Sequence, residues 1–409
     1  MLSQVSIAPH MPLENKLNVL MITGVYLPEI NGAVLQCSQL INNLEECVNY
    51  SVLTCTNDES MEGCDYIDGV RVTRIFMSKE RKLKYIIGAA RFFLCLTMML
   101  RKTDLVHIHG FSKRNAIVIL TSMLLRKKVV IKMTSYGHDD AMSIKNYSPI
   151  LWSIFKCCHA YIGISPAFLA SYQESGLSEH KYNYIPNGVN LDRYSPISTA
   201  ERKALRGAYG FAEYDNLIVF VGHFSPEKRP TLLYKAWVRL CEQNICAKLI
   251  FIGHTKDNFE VDEGIVESIK QDGFLRGVLS LIHFVEETPK VEDYMKIADV
   301  FVLPSIREGM PNVLLEAMAC ALPVIVSDLP GVTDWLIEDG VTGVLFSSDD
   351  PNVLANTISP FFMTSGNKQK MGMAARHCME RNFSFALTSQ GVLDLYRKMS
   401  AKNTVRFNS

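Results

Sequence analysis

Short apolar runs rich in β-branched residues recur along the chain, separated by stretches of helical character. The first series is LNVLMIT (17–23), YSVLT (50–54), VRVTRI (70–75), LVHIH (105–109), VVIKMT (129–134) and YIGIS (161–165). A second series follows: LIVFVG (217–222), KLIFIG (248–253), LSLIHF (279–284), VFVLPS (300–305) and PVIVSD (323–328). Parallel strands need crossover connections, so this alternation predicts parallel sheets covered by helices. Between the two series lies YIPNGVNLDRYSP (184–196), rich in Asn, Gly and Pro, which reads as a hinge or linker. The predicted fold class is α/β: two tandem Rossmann-like, doubly wound parallel-sheet domains. Ligands of such sheets bind outside the carboxyl ends of the strands, so the expected site is the cleft between the two domains, built from residues just after each strand.

Composition narrows the class. A chain of 409 residues, 48% apolar and 21% charged, is globular with sizeable cores. Acidic and basic residues balance at 42 each, which argues against a dedicated nucleic-acid binder. Residues 1–190 carry 19 Lys and Arg against 15 Asp and Glu, a surplus of four cations that the remainder offsets. Eleven cysteines without a Cys-x-x-Cys pair fit a reduced, cytoplasmic protein and no disulfide or zinc framework. No basic stretch precedes an apolar one at the N-terminus, so no secretory leader is expected. No apolar run reaches the ~18 residues of a membrane helix; the longest, 86–100, is interrupted by Arg91. The chain is expected to be soluble or peripheral.

Several strand ends carry chemistry. Asn31-Gly32 after the first strand lets backbone approach a ligand, although a plain strand-to-helix turn has the same composition. No Gly-x-Gly-x-x-Gly stands there, which disfavours a nicotinamide dinucleotide. His107 and His109 share one strand face. They read as a metal pair, as packed histidines, or as polar residues at the strand end, with His109 the better candidate for the last. Tyr136, His138, Asp139 and Asp140 crowd after the fifth strand, either as a solvated turn or as acceptor-binding groups. Lys228 and Arg229 occupy a loop that opens a helix, where cations and backbone amides can hold phosphate together. In SIREGMPNVLLEAMAC (305–320), Pro311 suits a first helical turn, which places Glu308-Gly309-Met310 in the entry loop and Glu316 inside the helix. The two carboxylates could accept from hydroxyls at either end of a sugar–diphosphate–ribose ligand whose phosphates lie on the amides between them. Alternatively Glu316 pairs with a local base and Glu308 complements the helix dipole.

The segment EGMPNVLLEAMACALPVIVSDLPGVTDWLIEDGVTGVLF (308–346) closely resembles the signature of the retaining glycosyltransferases of family four, which have the B-type glycosyltransferase fold. NGA, DLVHIHG, TSYGHDD, IPNGVNLDRY and VGHFSPEKRP precede it in the family's order. The resemblance implies an N-terminal acceptor-binding domain (1–188), a C-terminal nucleotide-sugar domain (189–375) and terminal helices (376–409) crossing back to the first. It implies that Glu308 contacts the transferred sugar and Glu316 the ribose. Gly309, Met310, Pro311, Asn312 and Val313 supply amides, Lys228 grips phosphate, and Gly32 closes over the donor. Three positions depart from the pattern. His223 stands at the family's arginine and grips diphosphate less strongly than a bidentate guanidinium, leaving Lys228 and Arg229 to compensate. Tyr136 stands at the family's histidine. Ala321 replaces a frequent glycine, read as a packing change.

The implied reaction moves a hexose or N-acetylhexosamine from a nucleotide diphosphate sugar to a hydroxyl of a glycan, lipid-linked or small-molecule acceptor, with retention and without a metal. Same-face attack is implied, with the leaving diphosphate taking the acceptor proton, and His109 joins Glu308 as a catalytic candidate. No cofactor is expected. Polysaccharide or glycoconjugate synthesis is the expected setting. The alternatives are a degenerate scaffold subunit and a sugar-nucleotide epimerase. The basic run KERKLK (79–84), the apolar helix at 86–100 and RKK (126–128) either cover the first sheet with solvated lysines or form a face that attracts anionic lipid.

Overall fold

The computed structural model describes residues 16–29, 31–78, 81–255, 261–286, 288–363 and 366–401. Lys79 and Glu80 of the basic run, Glu287, and the N-terminal stretch on which the leader reading rests lie outside the described residues. The chain divides into two compact units. One comprises the residues up to Ile164, Phe168–Ile185 and the chain from Ser389 on; the other comprises Ser165–Ala167 and Pro186–Thr388. The division therefore falls at Ile185/Pro186. Residues 376–388 belong to the second unit, and only the chain from Ser389 belongs to the first.

The first unit holds an eight-stranded sheet: β1 (Leu17–Thr23), β2 (Val48–Thr56), β3 (Gly63–Ile67), β4 (Val70–Phe76), β5 (Leu105–His109), β6 (Lys128–Lys132), β7 (Ala160–Gly163) and β8 (Tyr182–Tyr184). Their spatial order is β3-β4-β2-β1-β5-β6-β7-β8. Every pair is parallel except β3–β4, so the sheet is mixed where the sequence reading expected it parallel. β3 is an edge strand with mostly exposed residues, without the apolar alternation that marks a half-buried strand. It is joined to β4 through Asp68-Gly69, both with positive φ (48° and 78°), the pairing that suits a tight hairpin. Three helices matter below: α1 (Gly32–Leu44), α2 (Lys82–Leu100) and α3 (Asn115–Leu124). Gly88 lets α2 approach the sheet edge, since a Cβ there would lie 2.4 Å from the Phe76 carbonyl oxygen.

The second unit holds a parallel six-stranded sheet: β9 (Leu217–Val221), β10 (Lys248–Ile252), β11 (Ile282–Val285), β12 (Val300–Leu303), β13 (Val324–Ser327) and β14 (Val344–Phe346). The order is β11-β10-β9-β12-β13-β14. Residues 279–281 form a 3₁₀ turn ahead of β11 and are not part of the strand. β9, β10, β12 and β13 are apolar and almost wholly buried, as expected when helices cover both faces, whereas the edge strand β11 buries only Ile282. The strand order reverses between β9 and β12, which pair through Val300↔Ile218 and Phe301↔Val219. Such a reversal leaves the loops after the two strands splayed, and a crevice forms there.

Candidate active site

At that reversal the loops after β9 and β12 are stitched together. Ile306 N donates to the Glu227 carbonyl at 2.9 Å, and Arg307 reaches the Glu227 carboxylate at 2.5 Å. One residue further on, Lys228 Nζ sits 2.7 and 2.8 Å from the two oxygens of Glu308. The Glu308 side chain is 7% exposed and Lys228 24%, so the pair is largely removed from water. Such a pair holds its geometry because neither charge is easily left alone. Glu308 thus has a partner within the protein, which corrects the expectation that it awaits ligand hydroxyls alone.

Pro311 is the residue before the helix Asn312–Ala319, not its first turn, and no side chain caps the helix. The first-turn amides, Val313 among them, therefore lie at the positive end of the dipole, and the helix starts four residues after Glu308. Met310 is buried and its sulfur accepts from Asn187 N at 3.3 Å; Asn187 Nδ2 donates to Asn312 Oδ1 at 3.0 Å. The IPNGV segment read as a hinge thus buttresses the loop. Gly188 lets the segment pass close to the start of the helix Phe385–Ala401, since a Cβ there would meet the Phe385 Cα at 2.7 Å.

Glu316 lies four residues after Asn312, on the same helix face. It is 9% exposed. Burial pushes its carboxyl up to about 7, against the opposing pull of a hydrogen bond from Tyr194 and of the Arg193 guanidinium nearby. Arg193 is itself tied to Glu292 at 2.8 Å. Tyr194 and Arg193 were missed as site residues, although both stand in the quoted NLDRY motif.

Arg229 is not brought into this group. It precedes the helix Pro230–Glu242 in the left-handed region (φ 53°), and its guanidinium binds Asp349 at 2.5 Å. His223 stays in the loop after β9, half-buried, its carbonyl accepting from Ser225 N. Ala321 also has a left-handed backbone (φ 56°) just past the Asn312–Ala319 helix, so its family glycine reflects backbone conformation and not packing.

In the first unit, Asn31 caps α1 by accepting from Val34 N at 2.9 Å, and Gly32 opens that helix. His107 is fully buried with Nδ1 2.5 Å from the Tyr396 hydroxyl. His109 is also buried rather than lining the surface, and neither ring nitrogen has a hydrogen-bond partner among the described residues. Burial, with Lys132 and His107 adding to it, holds its pKa well below the ordinary imidazole range, so it is neutral. Lys132, its neighbour across the β5–β6 ladder, is a buried cation pushed down to about 8 by desolvation, which the sequence reading missed. No three His, Cys, Asp or Glu side chains converge among the described residues, so the histidine pair gains no third ligand.

Asp139 accepts from the amides of Thr134, Ser135 and Phe111 and from the Thr134 hydroxyl, at 2.7–3.2 Å. Burial raises its carboxyl to about 6 against those bonds. With its oxygens so occupied, Asp139 positions the loop and does not reach out to an acceptor, which corrects its candidate role. Asp140 caps the next helix, accepting from Ser143 N at 3.1 Å. Tyr136 is half-buried, edge-on to Phe168, and His138 is exposed. Both stand on the loop after β6.

Comparisons with known proteins bear on the family and the fold. The family model for glycosyl transferases group 1 matches residues 201–377, and that for glycosyltransferase family 4 matches residues 30–193. The chain is 30% identical over 230 residues to a D-inositol 3-phosphate glycosyltransferase of Kribbella flavida, covering 54% of this chain and 52% of the relative. It is 25% identical over 231 residues to an alpha-maltose-1-phosphate synthase of Mycolicibacterium smegmatis, covering 55% and 59%. The chain thus spans little more than half the length of these curated relatives. Among solved structures, HepE of Anabaena with UDP-glucose superposes with a TM-score of 0.74 at 17% identity, over 93% of this chain and 99% of that one. That likeness shows the shared fold. Matched in both halves, and built as two Rossmann-like units of the B-type fold, the chain belongs to the group 1 glycosyltransferases.

Proposed function

We propose that this chain transfers a hexose or N-acetylhexosamine from a nucleotide diphosphate sugar, with retention, to a hydroxyl of a glycan, lipid-linked or small-molecule acceptor. The observation that carries the reading is the grouping of Lys228, Glu308 and the uncapped helix start at the β9/β12 reversal, with buried Glu316 one helical turn below. Cation and amides together suit a diphosphate, and the two carboxylates suit hydroxyls on either side of it. UDP-sugars are the first donors to test, because HepE is recorded with UDP and with UDP-glucose. Polysaccharide or glycoconjugate synthesis at the cytoplasmic side is the proposed setting.

When the donor binds, Lys228 Nζ turns from Glu308 toward the phosphate, and Glu308 is released to accept from a sugar hydroxyl. The glycosidic C–O bond to the diphosphate breaks, the acceptor oxygen bonds to the anomeric carbon on the same face, and the acceptor proton passes to the departing diphosphate. The protein contributes orientation and charge stabilisation. Glu316 and the first-turn amides hold the donor; Tyr136 and His138 are the proposed acceptor contacts.

A panel of UDP-, GDP- and ADP-sugars tested by thermal shift is the direct experiment, since a ligand stabilises according to its occupancy. One nucleotide class should raise the melting temperature, and Glu316→Ala should abolish the shift. A Glu316→Ala protein with unchanged donor affinity and turnover would refute the assignment.

A further inference from the structure

The sequence leaves two readings of the apolar stretch at 86–100, a cover for the first sheet or a face that attracts lipid; in the structure α2 runs Lys82–Leu100, 19 residues with mean hydropathy 1.6 and only 22% of it buried. Its inward face is a narrow stripe, Gly88, Phe92, Leu96 and Leu100, packed on the unit. The opposite face is equally apolar. Leu83, Ile86, Leu94 and Met98 are 71%, 63%, 60% and 61% exposed, and no charged residue falls between them on that face. A water-facing helix should be polar on its outer side. α3, which packs beside α2, continues the surface with Leu120 and Leu124, 49% and 82% exposed. Taking about 180 Å² for a fully exposed apolar side chain, the exposed large apolar residues of the two helices present roughly 1,000 Å², well above the patches monomeric proteins usually leave open.

The charge around this surface is one-sided. From Arg81 to His138 the sequence holds twelve Lys and Arg against a single carboxylate, Asp104. Lys84 and Arg91 are neutralised by Glu59 and Glu62. Arg81 and Lys82 at one end of α2, Arg101 and Lys102 at the other, and Arg126 after α3 are exposed at the rim. An apolar ridge with exposed cations at its rim complements an anionic lipid leaflet, with side chains entering the acyl boundary and cations meeting phosphates. α2 cannot cross the bilayer as a span, because its inward stripe and the close Gly88–Phe76 approach tie it to the sheet.

We propose that the outward faces of α2 and α3 form a docking surface on which this protein lies on an anionic phospholipid membrane. The proposal concerns the surface of the first unit and is independent of the transfer reaction.

Co-sedimentation with vesicles of about 3:7 phosphatidylglycerol to phosphatidylcholine, against pure phosphatidylcholine, tests it. The full chain should pellet with the anionic vesicles, and roughly tenfold more weakly when salt rises from about 0.1 to 0.5 M. Ile86→Glu/Leu94→Glu should lose binding at least about tenfold with an unchanged melting temperature. Arg101→Glu/Lys102→Glu should lose it by about twentyfold or more, at about fivefold for each cation removed. Absence of wild-type pelleting overturns the proposal without reference to any variant. So does unchanged pelleting of the Ile86/Leu94 variant. Light scattering that shows a wild-type dimer converted to monomer by the same variant, with no vesicle binding by either, would assign the face to a second copy and overturn it too.

Discussion

Replacing Lys228 by Met retains the aliphatic stem and removes the cation, leaving Glu308 with a 7% exposed side chain and no counter-charge. Breaking a fully buried pair costs about 3–5 kcal/mol. Lys228 is a quarter exposed, so water can partly replace it, and the expected loss is about 2 kcal/mol. For the second unit, of about 200 residues, that lowers the melting temperature by about 4–8 °C. Glu308→Gln alone should cost less, because a neutral amide tolerates burial and Lys228 keeps some access to water. The double variant Lys228→Met/Glu308→Gln should recover about 1–2 kcal/mol relative to additivity. Urea and thermal unfolding of the four proteins at neutral pH measure the cycle. A Lys228→Met protein within about 0.5 kcal/mol of wild type, or additive variants, would refute the view that these two charges hold each other in place. Donor binding adds a second readout: Lys228→Met should weaken the thermal shift from the preferred nucleotide sugar, because the same cation is proposed to turn to phosphate.

Two further outcomes follow from groups beside this pair. Ala321→Gly should raise stability by about 0.5–1 kcal/mol, since a left-handed backbone costs an L-residue about 1–2 kcal/mol and glycine's extra unfolded entropy returns part of the gain; a lower melting temperature would contradict it. The Glu316 carboxyl is raised from 4.5 to about 7, so the folded protein binds its proton more tightly than the unfolded chain. Stability from this group is therefore full at pH below about 4.5 and is lost as pH rises to about 7, by about 3 kcal/mol at most. Glu316→Gln should gain on wild type across that window, and a difference in melting temperature that does not vary with pH would rule the account out.

Eleven of the fourteen strands among the described residues, and the glutamates after VFVLPS, were legible without coordinates; the edge strands β3, β8 and β14 were not, nor was the order of strands across either sheet. An apolar β-branched run announces a doubly covered strand wherever it stands, and eight residues across a loop–helix junction set the Glu308–Glu316 spacing locally. β3 escaped because an exposed edge strand carries no apolar alternation, although the Asp68-Gly69 turn beside it was a readable hairpin signal. The partner of each charge was not legible. Lys228 and Glu308 are 80 residues apart, and Tyr194 and Glu316 are 122 apart (316 − 194). They meet because β9 and β12 pair across the reversal and because the NLDRY segment packs against the helix. The sequence likewise could not distinguish Asp139, saturated by four donors, from His138 one position before it and exposed. Nor could it show that α2 is apolar on its outward face as well as its inward one, since that depends on where the sheet lies. By itself, then, the sequence determined which local elements form and which residue types stand at their ends, because those depend on near neighbours along the chain. Which charges pair, which polar groups are buried and which apolar face is left in water were decided only by the tertiary structure, since burial and pairing depend on segments far apart in the sequence.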